Sequence, residues 1–125
     1  MYIGEVANKT GLSIKAIRLY ETRGLIKTPL RQGRYRVYED SHIEVLNLIK
    51  EAKSLGSTLA QLDEVIVYQN GEVDWLRIEQ FLVGLKCQLS RQVDSLNSRI
   101  SRIENCLSTI KSCPSMLDST PRGRD

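Results

Sequence analysis

The chain opens with two short segments whose apolar residues recur at helical spacing, joined by a turn that contains glycine. The first segment carries Ile3, Val6 and Ala7, and the turn is Thr10-Gly11-Leu12. Ser13 can cap a second helix over residues 14–21, whose predicted apolar face is Ile14, Ile17 and Leu19. A second helix set by such a turn is the element that enters the major groove of DNA. The pattern therefore predicts a DNA-binding head.

A short extended segment follows. Pro29 and the pair Gln32-Gly33 supply turn chemistry. Tyr35, Arg36 and Val37 alternate in character as residues of a strand do, with Arg36 facing the side opposite to its neighbours. We therefore expect a compact hairpin that is rich in basic and aromatic residues.

Two further helices are predicted by capping boxes. In Ser41-His42-Ile43-Glu44, Glu44 is placed to reach back to the start of a helix, which ends at Leu55-Gly56. A second box, Thr58-Leu59-Ala60-Gln61, opens a helix through Val67. The inward positions of this pair are predicted to be Ile43, Leu46, Leu48, Ile49, Leu59, Leu62, Val65 and Ile66. The single histidine, His42, is expected at the surface or beside a phosphate rather than in a metal site.

After a short linker over residues 68–72, one helical signal runs from about Asp74 to Lys111 without proline. Its apolar stripe consists of Ile78, Leu82, Leu85, Leu89, Val93, Leu96, Ile100, Ile103, Leu107 and Ile110. Successive four-residue steps around Leu89 mark a stutter between two heptad runs. A single helix cannot cover such a stripe, and no turn signal inside it allows a hairpin. The periodicity therefore predicts pairing with a second copy of the chain.

The charge distribution strengthens the assignment of the head. The formal net charge is only +3. However, the first 36 residues carry eight basic residues against Glu5 and Glu21: Lys9, Lys15, Arg18, Arg23, Lys27, Arg31, Arg34 and Arg36. Acidic residues return with Glu39 and Asp40. A positive field confined in this way attracts phosphates and makes affinity depend steeply on salt. A solvated basic face is the alternative explanation, and the adjacent helix-turn-helix pattern favours DNA.

Two stretches resemble the MerR family of bacterial transcription regulators. Residues 16–26, Ala-Ile-Arg-Leu-Tyr-Glu-Thr-Arg-Gly-Leu-Ile, are similar to the family signature, and Arg34-Tyr35-Arg36-Val37-Tyr38 is similar to its wing. The family usually has Gly-Tyr-Arg in the wing, whereas Arg34 precedes Tyr35 here. The resemblance covers about the first seventy residues. It implies a winged helix-turn-helix head, an antiparallel homodimer on the long helix, and effector-controlled bending and untwisting of a promoter that RNA polymerase reads.

The resemblance and the residue chemistry together give a set of DNA-binding candidates: Ser13, Lys15, Arg18, Tyr20, Arg31, Arg34, Tyr35 and Arg36. Lys15 and Arg18 can reach phosphates or base edges, and the arginine fork suits guanine. The Tyr20 ring is expected at the junction of helix and wing, with its hydroxyl on the DNA backbone. Tyr38 is assigned mainly to packing. The dimerisation candidates are Leu82, Leu85, Leu89, Val93, Leu96, Ile100, Ile103, Leu107 and Ile110.

The candidate residues for effector binding are cysteines. Cys113-Pro114-Ser115 resembles the opening of the metal-binding loop in the family's metal-sensing branches, and a thiolate suits a soft ion such as Cu(I). The second loop cysteine of that branch is absent, which leaves Met116, or Cys87 of a second copy, as candidate co-ligands. A four-cysteine iron–sulfur cluster is excluded. Cys106 flanks the dimer seam and is expected to be a small core residue, since free cysteine is often buried. Cys87 is expected to be a bystander on the outer face.

The expected fold is mainly α, a winged helix-turn-helix head followed by a long coiled-coil dimerisation helix. The segments are 1–38 (helix-turn-helix and wing), 39–70 (second helix-turn-helix), 71–112 (dimerisation helix) and 113–125 (effector-loop-like segment and flexible tail). The absence of a signal sequence and of a membrane-length apolar run predicts a cytoplasmic protein. The expected effector is a soft metal or thiol-reactive signal at Cys113, or a small molecule that binds between the head and the long helix.

Two other classes of function are an effector-independent DNA-bending protein and an enzyme. An effector-independent DNA-bending protein, architectural or excisionase-like, would suit the incomplete cysteine set and would distort its site identically whatever is added. An enzyme has no support, because the chain has one histidine, no paired-carboxylate constellation and no phosphate-cradling glycine motif.

Overall fold

A computed structural model describes residues 1–112 of the chain, which divides into two compact units at Phe81 and Leu82. The elements in chain order are α1 (Ile3–Thr10), α2 (Ile14–Thr22), β1 (Leu30–Gln32), β2 (Tyr35–Val37), α3 (Asp40–Ser54), α4 (Leu59–Val65), β3 (Tyr68–Gln69), β4 (Glu72–Val73) and α5 (Trp75–Ser112). The predicted class is confirmed: the chain is mainly helical, with a small hairpin wing and a long final helix.

The first helix-turn-helix forms for the local reasons that the sequence indicated. Gly11 ends α1 with a φ of 75°, a left-handed conformation that glycine adopts without steric cost, and its N–H donates to the Ala7 carbonyl at 2.8 Å. The Ser13 hydroxyl then accepts a hydrogen bond from the Ala16 N–H at 3.0 Å. The predicted cap of α2 is therefore confirmed.

The buried face of α2 differs from the prediction. Ile17 and Tyr20 are buried, whereas Ile14 and Leu19 are exposed. Leu19 lies two positions from Ile17, on the opposite side of the helix, and Ile14 lies in the first turn beyond the reach of the core. The core-facing pair is thus Ile17 with Tyr20, three residues apart.

Strands β1 and β2 form an antiparallel hairpin, here called the wing. Arg31 lies opposite Arg36, and Gln32 opposite Tyr35 across a two-residue loop. Gly33 begins that loop with a φ of 65°. At the base of the wing, the backbones of Met1 and Tyr38 exchange hydrogen bonds, with the Tyr38 N–H donating to the Met1 carbonyl at 2.7 Å.

The start of α3 is a correction. Glu39, not Ser41, is the N-cap residue, and its N–H donates to Nδ1 of His42 at 2.9 Å. His42 was expected at the surface but is 3% exposed. Its second ring nitrogen lies 3.0 Å from the carbonyl oxygen of Lys27, so both ring nitrogens have partners and the polar ring can be buried. The histidine therefore joins the start of α3 to the segment that precedes the wing.

Helix α4 opens with the predicted reciprocal box. Thr58 accepts from the Gln61 N–H at 3.2 Å, and the Gln61 side chain accepts from the Thr58 N–H at 2.9 Å. The helix ends at Val65, two residues earlier than expected. The expected linker over residues 68–72 contains most of a second hairpin, β3–β4, turned by Asn70 and Gly71 with φ of 55° and 80°. Asn-Gly is the usual two-residue hairpin turn.

The core of the head is contributed by every helix of the first unit. Its members are Val6, Ile17, Tyr20, Leu25, Ile26, Tyr38, Val45, Leu46, Ile49, Ala52, Leu62, Ile66 and Ile78. Ile78 belongs to α5, so the first turns of the long helix are part of the head. The predicted helix is confirmed within one residue at each end, and at about 1.5 Å per residue its 38 residues span about 57 Å.

Candidate nucleic-acid interface

Helix α2 presents its basic residues to solvent. Lys15 and Arg18 are exposed, on the side of α2 opposite to the buried Ile17 and Tyr20. The Ser13 hydroxyl is engaged in the cap at the start of the same helix. The free N–H groups and partial positive charge of a helix N-terminus also favour a phosphate at this end.

The structure brings α2 and the wing together around one shallow cleft of about 110 Å³. Four of the predicted DNA-binding residues line it: Arg18, Arg34, Tyr35 and Arg36. Tyr2, which the sequence did not single out, completes the wall, with its ring centroid 5.4 Å from that of Tyr35 at an angle of 48°. The contact joins residues 33 positions apart, so no local pattern could have indicated it. We call this feature the wing cleft.

One carboxylate fixes the wing to α2. Glu21 on α2 lies 3.0 Å from Nε of Arg36, and it accepts a hydrogen bond from the Tyr38 hydroxyl at 3.2 Å. The N–H at Nε of Arg36 does not have the direction of a hydrogen bond to Glu21. The two side chains therefore attract each other as an ion pair. Burial and the Glu21 charge raise the pKa of Tyr38 to about 12, which keeps its hydroxyl a donor. We call Glu21, Arg36 and Tyr38 the wing anchor.

The wing anchor changes the role of Arg36. The sequence assigned it mainly to phosphate contact, whereas its guanidinium is half-buried and paired within the protein. Arg31 lies directly opposite Arg36 on the neighbouring strand, and two like charges in that position repel each other. Pairing of Arg36 with Glu21 offsets this repulsion and leaves Arg31 exposed. Contact of Arg36 with DNA stays a prediction.

Within residues 1–112, four basic side chains on α2 and the wing form no ion pair with a carboxylate: Lys15, Arg18, Arg31 and Arg34. By contrast, Lys9, Arg23 and Lys27 pair with Glu5, Asp63 and Glu39. The unpaired set is part of the set predicted from the sequence. Its charge is therefore available to an outside anion.

Tyr20 has a different environment from the one expected. Its side chain is 3% exposed and belongs to the core, with Nζ of Lys53 6.0 Å from the ring centroid. The ring packs between helices rather than lying open at the junction with the wing. Its expected contact with the DNA backbone stays a prediction.

The predicted dimerisation stripe lies open on α5. Seven of its members in the second unit are between 36% and 59% exposed: Leu82, Leu89, Val93, Leu96, Ile100, Ile103 and Leu107. Leu85 and Ile110 are half-buried. Monomeric proteins rarely leave so continuous an apolar surface in water. The stripe therefore marks an interaction surface.

The effector candidate Cys113 lies outside the described residues. Cys87 and Cys106 are free thiols and are both exposed. No three His, Cys, Asp or Glu side chains within residues 1–112 are placed to hold a metal ion together. In the same part of the chain, no helix has the length and apolar content needed to cross a membrane.

The sequence of this chain is similar to those of known regulatory proteins. A family model described as MerR HTH family regulatory protein matches residues 1–69. The HTH-type transcriptional regulator CueR of Salmonella typhi is 43% identical over 67 residues, which are 53% of this chain and 49% of that protein. A probable heavy metal-dependent transcriptional regulator of Haemophilus influenzae is 31% identical over 107 residues, 84% of each chain.

The fold has solved counterparts. The crystal structure of MtaN, the N-terminus of the Bacillus subtilis multidrug transporter activator, matches with a TM-score of 0.57 at 24% identity, covering 86% of this chain and 97% of that one. At that identity the match supports the fold alone. The chain spans about half the length of the two Salmonella CueR proteins that it matches.

Proposed function

This chain belongs to the MerR HTH family of regulatory proteins, and from that membership we propose that it is a transcription regulator that binds promoter DNA as a homodimer and distorts it in response to an effector. The observation that carries the DNA-binding proposal is the convergence of Arg18 from α2 with Arg34 and Tyr35 from the wing around the wing cleft. The helix and the wing that follows it in the chain thus present cationic and aromatic side chains on one surface. RNA polymerase at the same promoter is the further partner that we propose.

The division of labour on this surface follows from side-chain chemistry. Arg18 lies on the helix that would enter the major groove, where a guanidinium can bind guanine through two hydrogen bonds. Arg31 and Arg34 lie on the wing, whose three-residue strands suit contact with a flanking phosphate backbone. We therefore assign base reading to α2 and phosphate contact to the wing.

The experiment that tests DNA binding is an anisotropy titration against a duplex selected from a random-sequence library, repeated over a range of salt concentrations. Arg18→Ala should weaken binding by about 1–3 kcal/mol and relax the preference for one base pair. Arg34→Ala should weaken binding to all sequences and reduce the salt slope by about 0.9 for the lost phosphate contact. Arg99→Ala, an exposed charge on α5, is the control. Unchanged affinity and slope in both head variants would remove the proposal.

Self-association is proposed on the basis of the α5 stripe. Its exposed apolar side chains recur at the 3- and 4-residue steps of a coiled-coil seam, and a second copy offers the same surface. The antiparallel direction of the two helices follows only from the family resemblance.

The effector that we propose is a soft metal ion, such as Cu(I), or a thiol-reactive signal, acting at Cys113. The name of the Haemophilus influenzae relative, a heavy metal-dependent regulator, supports this class of signal. Thiolate is the side-chain ligand that soft cations prefer. Because residues 1–112 contain no ready cluster of ligands, further donors would come from Met116 or from Cys87 of the partner subunit.

Native mass spectrometry of the reduced protein, titrated with Cu(I), Ag(I), Zn(II) and Hg(II), tests the metal proposal. A dimer that retains metal against a competing thiol should lose it in Cys113→Ser and keep it in Cys106→Ser. A dimer that never retains metal would overturn it in favour of an organic effector or of effector-free DNA bending. Energy transfer across an end-labelled duplex separates those two, because an effector-free protein bends DNA equally with every addition.

A further inference from the structure

The head contains a second concave site that shares no residue with the wing cleft. It has a volume of about 380 Å³ and lies between the start of α3, the β3–β4 hairpin and Trp75 at the first position of α5. Its size falls in the range of small-molecule sites. All of its walls belong to the first compact unit. We call it the head cavity.

The charges around the head cavity are predominantly negative. Glu39, Glu44 and Glu72 line it, and Lys27 is the basic residue of the wall. The ammonium of Lys27 lies 3.5 Å from the Glu39 carboxylate, so these two charges offset each other. Glu44 and Glu72 form no ion pair with any basic residue of the described chain. The negative charges of Glu44 and Glu72 are therefore available to attract a ligand that enters the head cavity.

Two helix N-termini lie near the cavity, and alone they would favour an anion. Each already faces a carboxylate of this chain. Glu39 is the N-cap residue of α3, and Asp74 accepts a hydrogen bond from the Arg77 N–H at 3.2 Å in the first turn of α5. Burial lowers the pKa of His42 in the same wall, so the imidazole is neutral at pH 7 and adds no positive charge. A cation is thus the favoured charge.

Aromatic rings supply the other half of the recognition chemistry. Trp75 is 46% exposed, an unusual position for the largest apolar side chain. Tyr68 lines the same cavity, and its hydroxyl donates to the Leu25 carbonyl at 2.8 Å, which fixes its ring. The face of an indole or phenol ring attracts a cation placed over it, and most strongly a weakly hydrated organic one.

We propose that the head cavity binds a small organic cation, an ammonium or guanidinium compound with an apolar body, between the rings of Trp75 and Tyr68 and the carboxylates of Glu44 and Glu72. The rings take the apolar body and the carboxylates balance the charge. The site is complete within one head, and it does not depend on DNA binding or on Cys113.

Trp75 is the only tryptophan of the chain, so its fluorescence reports on the cavity directly. The probe is benzyltrimethylammonium, titrated into the full-length protein at low salt, with benzyl alcohol as the neutral comparison. We expect saturable quenching by the cation that weakens as salt is added, and at least about tenfold weaker binding of the alcohol. Equal affinity for both compounds, or no saturable change with the cation, would overturn the proposal.

Variants separate this site from a non-specific acidic surface. Replacing both cavity carboxylates, Glu44→Gln with Glu72→Gln, should weaken binding of the cation by about fivefold to tenfold. Glu51→Gln, an exposed carboxylate near the other end of α3, should leave it unchanged. Trp75→Leu, followed by calorimetry, should abolish binding while circular dichroism shows an unchanged fold. If the double variant binds as tightly as the parent, the site does not exist as described.

Discussion

At the scale of single residues, Glu21 controls how the wing is held. Its carboxylate is 12% exposed and faces both the Arg36 guanidinium and the Tyr38 hydroxyl. A two-stranded hairpin with three-residue strands is marginal in water unless it packs on something else. The wing therefore depends on contacts with α2, and Glu21 provides the polar ones.

We expect Glu21→Gln to lower the free energy of unfolding by about 1 kcal/mol, because the ion pair with Arg36 is lost in a half-buried position. Urea unfolding followed by circular dichroism measures this. The control is Glu5→Gln, which removes an exposed pair with Lys9 on α1 and should cost only about 0.2–0.5 kcal/mol. If both variants lose the same amount, Glu21 has no special part in holding the wing.

His42 makes the folding stability of the head depend on pH. Its Nδ1 accepts a hydrogen bond from the Glu39 N–H, so a proton added there would face another donor. Burial is the main cause that lowers the pKa of His42 in the folded protein from its ordinary value of 6.5. The unfolded chain then takes up a proton at a higher pH than the folded chain does. Stability is therefore full above about pH 6.5 and falls as pH decreases toward the folded pKa.

We expect the melting temperature to fall between pH 7 and pH 5 by more in the parent protein than in His42→Gln, whose amide does not titrate. Differential scanning calorimetry over this range measures the difference. Lys27 and Glu39 are the charged groups beside the ring, so Lys27→Gln serves as the control for their contribution. Parallel curves for the parent and His42→Gln would show that another group carries the acid dependence.

At the scale of elements, local signals were sufficient wherever the stabilising contacts are themselves local. Ser13 and Thr58 bond to backbone groups three residues later, and both helix starts were predicted correctly. The predicted start of α3 was wrong because the His42 side chain, in place of that of Glu44, accepts the hydrogen bond that caps the first turn. His42 is held in place by the carbonyl of Lys27, which is distant in the sequence. The β3–β4 hairpin was overlooked although its Asn70-Gly71 turn is readable from the sequence.

We expect Ser13→Ala to destabilise the head by about 0.5–2 kcal/mol, because the Ala16 N–H loses its acceptor at the start of α2. Ser13→Gly should cost only a few tenths of a kcal/mol, since water then reaches the free N–H. Thermal unfolding measured at matched protein concentration compares the two. Equal losses would mean that the hydroxyl contributes nothing as a cap.

The functional surface was predictable in its charges and unpredictable in its packing. The basic residues of α2 and the wing could be named, because their run of positive charge is visible in the sequence. The burial of Tyr20, the pairing of Arg36 with Glu21 and the stacking of Tyr2 on Tyr35 depend on residues brought together only by folding. These placements decide which side chains remain free for the contacts with DNA that we propose.

At the scale of the whole molecule, α5 links the head to the surface on which we propose self-association. Ile78 of α5 belongs to the core of the head, and Phe81 packs against that core. The part of α5 after Phe81 exposes the apolar stripe. An isolated helix has little stability of its own in water. Pairing with a second copy would therefore stabilise this part of the chain, and the melting temperature should rise with protein concentration.

We expect the double variant Leu96→Lys with Ile103→Lys to be monomeric, because two charges would then lie within an apolar seam. Light scattering coupled to size exclusion measures the mass. The matched control, Ser98→Lys with Asn105→Lys, adds the same charges on the opposite side of the helix and should leave the dimer intact. A dimer that persists in the first variant would show that the stripe is not the seam.

The wing anchor has a consequence for attempts to redirect the proposed DNA binding to new sequences. The anchor fixes the base of the hairpin, while the residues of its tip, Arg31 to Tyr35, are exposed. A combinatorial library can therefore diversify the tip with Gly33 kept for its turn, and with Glu21, Arg36 and Tyr38 held constant, without unfolding the scaffold that presents it. The residues at the tip can therefore be varied by selection while the wing anchor that holds the hairpin is kept.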